Sequence, residues 1–154
     1  MLMLPDEFGR HGADRNYLTA RLAPSLARAG QVQRALDYAA QADDWCRTAA
    51  YLGIAEATDG RTRSSTLLVA LRVLLAQRDV FRKNGIDKVA RAIAHDPDAA
   101  QPAWAEATAW ARSRPRNEAI EVLVALAPVA AAARGQALVD EVLAAIEHVV
   151  RWWP

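Results

Sequence analysis

Cysteine is nearly absent from this 154-residue chain. Cys46 stands alone, so no intrachain disulfide can form, and a reducing compartment, the cytoplasm, is the expectation. Aromatic residues make up only 6%. No apolar run approaches the roughly 18 residues that span a membrane, which predicts a soluble chain with no membrane partner. Met1 to Leu4 is apolar, but no basic region precedes it and no signal-peptide core follows it. An excess of charge is missing too. Nineteen Lys and Arg against 18 Asp and Glu leave +1, which argues against nucleic acid as a partner. What is abundant is alanine, at 35 residues, and this is how a chain can be 53% hydrophobic with a mean hydropathy of only −0.06.

Alanine and leucine favour helix, and the apolar spacing agrees. Leu18, Leu22 and Leu26 form one stripe of a predicted helix over 15–29, which Gly30 ends by taking the left-handed position. A second helix, 31–43, carries Val32, Ala35, Leu36, Ala39 and Ala40 inward. A third, 45–57, runs through Ala49, Leu52 and Ala55 to a turn at Asp59-Gly60. Ser64 or Ser65 is the expected cap of the next helix, whose Leu67, Leu68, Leu71, Leu74 and Leu75 predict the most buried element. Asn84-Gly85 reads as a turn, followed by a short helix holding Ile86, Val89, Ala90 and Ile93 that ends at Asp96-Pro97. From Asp98 or Gln101 to Ala111 lies another, with Trp104 and Trp110, and Pro115 then breaks the chain. A helix over 116–133, kinked by Pro128, and one over 136–151 complete the pattern. No stretch alternates as a strand would. The expectation is an all-α fold, a short α-solenoid or helical-repeat bundle of about seven or eight antiparallel helices. Residues 1–14 would be an irregular lead-in and 15–154 a single helical repeat domain.

Two segments share an order of landmarks. Arg15-Asn16, Leu22-Ala23-Pro24, Ala29-Gly30 and Trp45 are matched by Arg116-Asn117, Leu126-Ala127-Pro128, Arg134-Gly135 and Trp152-Trp153. On the stretch from Leu22 to Ala57 the chain resembles TPR- and HEAT-like helical repeats. Its last 40 residues, ending Ala145-Ile146 and Val149-Val150-Arg151-Trp152-Trp153-Pro154, are similar to the closing repeats of bacterial NACHT/STAND-type signalling ATPases. In such proteins the repeats sense or bind, and a separate nucleotide-binding domain does the chemistry. No G-x-x-x-x-G-K-[ST] run occurs here, so the resemblance implies a repeat module without the ATPase.

Catalytic, cofactor and metal sites are not expected. His11, His95 and His148 are isolated, and a zinc site needs ligands at close spacing. Cys46, beside Trp45 on an amphipathic helix, reads as a buried thiol, since a nucleophile would need a base brought from elsewhere. Trp45, Trp104 and Trp110 read as fillers of the gaps between alanine-rich helices. Trp152 and Trp153 at the terminus either fold back as a cap or anchor a partner.

Charge is uneven along the chain. Arg61, Arg63, Arg72, Arg78, Arg82, Lys83, Lys88 and Arg91 crowd one segment, whereas 35–59 and 117–150 are acidic. The basic segment is a candidate partner-binding surface, or it faces the acidic segments within the fold. Arg112, Arg114 and Arg116 around Pro115 form a second basic loop. The function expected is a non-catalytic, scaffold- or sensor-type interaction module with a protein partner, self-associating as a homodimer through its N-terminal edge. One alternative is a DNA-binding protein of the HEAT-like DNA glycosylase kind, using Trp104, Trp110 and Arg112. Another is a small immunity- or antitoxin-type partner protein.

Overall fold

Helix accounts for nearly all of the described chain, and its boundaries follow from where carbonyls and amides find partners. The structure, a computed structural model, describes residues 7–77, 79–135, 140–141, 143–144 and 146–147. Among them there is no strand, and eight helices are bounded as α1 Glu7–Arg28, α2 Val32–Ala40, α3 Asp44–Glu56, α4 Gly60–Ala76, α5 Asp79–Ala94, α6 Pro97–Ala111, α7 Arg116–Ala125 and α8 Ala127–Arg134. The fold is all-α. It divides into two compact units, 1–73 and 74–154, with the division falling inside α4.

In the first unit, α1 packs on α2 and α3. Gly30, at φ +77, ends α1 as the spacing predicts. Its amide donates to Ala27 O at 2.9 Å and that of Gln31 to Leu26 O at 2.9 Å, the paired bonds of a Schellman cap. The core of this unit is built from Ala23, Ala27, Ala35, Ala39, Ala50, Tyr51, Ile54 and Ala70. The leucine stripe of α1 lies on one face as the spacing predicts, but that face is not the one turned to the core. Thr19, Ala23 and Ala27 are buried, whereas Leu18 is 54% and Leu22 50% exposed, with only Leu26 partly covered. Small residues face inward because α3 approaches closely: a Cβ added to Gly53 would meet Pro24 Cγ at 2.4 Å.

Other boundaries also depart from the sequence reading. The lead-in expected over 1–14 is helical from Glu7. Asn84-Gly85 lies inside α5, because packing overrides the weak helix preference of those two residues. Ser64 and Ser65 do not cap α4. They sit within it and donate back to Gly60 O and Thr62 O, a common use of hydroxyls inside helices. Leu67, Leu71, Leu74 and Leu75 of α4 are buried as predicted, and Leu68 is half-buried.

In the second unit, α5, α6, α7 and α8 pack on one another. Asp96 caps α6, accepting from the Ala99 amide at 2.9 Å. The helix expected to bend at Pro128 is instead two helices meeting at Leu126. Pro128 falls in the first turn of α8, where a missing N–H is harmless. Pro24, by contrast, lies inside α1. The two Leu-Ala-Pro triplets matched in sequence thus take different backbone paths. Most of the helix predicted over 136–151 lies outside the described residues.

Candidate functional site

The residues of the basic segment differ in exposure. Arg61 and Arg72 are exposed and Arg63 is half-buried, all in the first unit; Arg78 lies outside the described residues. Lys88 and Arg91 are exposed on α5, and Arg91 Nε donates to Asp87 O at 3.2 Å. Trp152 and Trp153, with the choice between cap and anchor, also lie outside the described residues.

Arg82 is no surface residue. It is 4% exposed, and its guanidinium donates from Nη1 to Glu118 Oε1 at 2.5 Å and from Nη2 to Gln77 O at 2.6 Å. It lies over the Trp110 ring, 4.8 Å from the centroid, while its Nε is buried without a hydrogen-bond partner. One side chain of α5 therefore joins the turn after α4 to α6 and α7. Next to it, Lys83 Nζ meets Glu121 Oε1 of α7 at 2.9 Å. At these two residues the basic segment faces the acidic one within the fold. Beside them lies a groove of about 240 Å³ with Ile86, Val122 and Ala125 as its apolar lining and Arg82, Lys83, Asp87 and Glu121 as its charged lining.

No protein-family model, curated protein or solved structure matches the chain.

Its surfaces must accordingly be read from their own chemistry. Trp104 is 7% exposed, among the buried residues of α6. Trp110 is half-buried; its Nε1 donates to Leu75 O at 3.1 Å, and Arg114 lies 5.2 Å from its ring centroid. The residues from Arg112 to Asn117, over the α6–α7 turn and the start of α7, are all exposed. The side chain of Trp45 lies outside those described. Cys46 is buried, as its position on an amphipathic helix predicted. His95 is exposed, with Nδ1 2.7 Å from Arg91 O. Among the described residues no three His, Cys, Asp or Glu side chains gather as metal ligands would.

The sequence reading missed the roles of Gln77 and Glu118, which stand 5 and 36 residues from Arg82. The crowding of acids after residue 117 was the available signal, but it did not specify which acid meets which base.

Proposed function

We propose that the chain is a non-catalytic interaction module of helical-repeat type, a scaffold or sensor element that binds a protein partner, as the TPR/HEAT-like resemblance implies. The observation that carries this reading is the inversion on α1. Alanines fill the interior, while Leu18 and Leu22, one turn apart on the same face, stand half exposed to solvent. Large aliphatic side chains paired in this way on an outer face gain most when a second surface covers them. No helix among the described residues is long and apolar enough to cross a membrane.

A photo-crosslinking residue placed at Leu22, in the native cell, tests the proposal. The reading expects a discrete protein adduct that Leu18→Ser abolishes, and no adduct from the same probe at exposed Gln33. Absence of a discrete adduct at Leu22, or equal labelling from both positions, overturns it.

A further inference from the structure

A second surface, in the other unit, carries a more specific chemistry. On α7 only Val122 is fully buried. Successive residues turn about 100° along a helix, which puts Ile120 and Val124 on the side opposite Val122 and Leu123 on its flank. Ile120 and Leu123 are half-buried and Val124 is exposed. The side of α7 opposite Val122 is thus apolar and only partly covered, with Val124 open to solvent. The outer stripe leads back, one turn toward the N-terminus, to the turn that bears Arg112, Arg114 and Arg116, all exposed.

Arg112 and Arg114 are not met by the two acids of α7. Glu118 is bound by Arg82 and Glu121 by Lys83, so both are engaged by bases of α5. Arg114 lies over Trp110, an arrangement that holds its guanidinium near the ring. Guanidinium groups present planar, paired donors suited to carboxylates.

We infer that the α6–α7 turn and the outer stripe of α7 form a docking surface for an acidic amphipathic segment of a partner protein. Carboxylates of that segment meet Arg112 and Arg114, and its apolar residues cover Ile120, Leu123 and Val124. Charge complementarity selects an acidic occupant for Arg112 and Arg114, and the apolar stripe beside them selects a peptide over nucleic acid, which offers no apolar face for Val124. The inference rests on reading the chain as an interaction module, but it concerns a surface distinct from α1.

The test is fluorescence anisotropy with the full chain and a labelled short amphipathic helix of glutamate and leucine. Comparison probes replace glutamate by lysine or leucine by serine, and a further probe is an oligothymidylate. The glutamate–leucine helix is expected to bind most tightly. Arg112→Glu combined with Arg114→Glu weakens it by about tenfold or more, and Val124→Ser by about threefold, on the scale of lost ion pairs and one exposed aliphatic contact. Lys88→Glu with Arg91→Glu, elsewhere on the surface, leaves it within about twofold. If the double arginine variant loses its helical circular dichroism, Arg112→Gln alone takes its place. Tighter binding of the oligonucleotide, equal binding of the serine or lysine probe, no binding, or an equal loss in the α5 control overturns the inference. Because the assay uses neither Leu18 nor Leu22, it fails independently of the crosslink on α1.

Discussion

A Cβ placed on Gly53 of α3 would lie 2.4 Å from Cγ of Pro24 on α1 and 3.2 Å from its Cβ. A proline ring has no flexible end to swing aside, so one of the two helices must shift to admit even a methyl group. In an exposed helix Gly→Ala stabilises by up to about 1 kcal/mol. Here the clash wins, and Gly53→Ala is expected to destabilise by about 1–3 kcal/mol in urea unfolding. A stability equal to or above that of the wild type would show that the two helices are not in this contact.

Adjacent residues of α5 should differ sharply. The side chains of Arg82 and Glu118 are 5% and 23% exposed, those of Lys83 and Glu121 52% and 51%. Arg82→Ala strips a half-buried carboxylate of its partner, frees Gln77 O and uncovers Trp110, for a loss of about 2–4 kcal/mol. Lys83→Ala removes a solvated pair worth under about 0.5 kcal/mol. Chemical denaturation of both variants, side by side, checks the ratio.

On α1 the usual ranking of substitutions reverses. Leu18→Ser and Leu22→Ser leave solvent-exposed positions and should each change stability by about 0.5 kcal/mol or less. Ala23→Leu adds three carbons to a site that is fully buried in the alanine cluster and should cost about 1–3 kcal/mol. Thermal melts that rank the leucine variants as the more damaging would contradict the orientation of α1.

Tyr51, buried on α3, supplies a pH dependence. Burial pushes its phenol above the ordinary 10.0, an effect that the positive charge of Arg47 partly offsets. The unfolded chain therefore loses this proton at lower pH than the folded one. The contribution is fully present below pH 10.0 and declines as pH rises from there through the folded value. Between pH 8 and about 11, the wild type should lose more stability than Tyr51→Phe, in which this titration is absent. Parallel losses in the two proteins would show that the phenol is not involved.

Much of the fold is legible in the sequence because helix boundaries are local events. The glycine after Ala29 and the Asp96-Pro97 pair fall where the chain stops and restarts. What is not legible depends on neighbours distant in sequence. The stripe Leu18-Leu22-Leu26 has ideal helical spacing, yet its neighbour one residue on, Thr19-Ala23-Ala27, faces the core. Periodicity locates a face and cannot tell which face a closely approaching partner demands. Asn84-Gly85 carries a turn signature that packing on either side suppresses. The charge asymmetry was visible along the chain, but the burial of Arg82 needed Glu118, Gln77 and Trp110 brought together from three other places.

Alanine supplies 15 of the 29 buried apolar residues among those described. An alanine has no side-chain rotamers to surrender when it is buried, whereas a leucine gives up about 0.5–1 kcal/mol of such freedom. Ordering this interior therefore demands less entropy per residue, and each residue in turn contributes less hydrophobic area. Truncation has little left to remove at such positions. The interior is accordingly guarded against enlargement far more than against loss, and the residues free to vary toward bulk are those already facing outward.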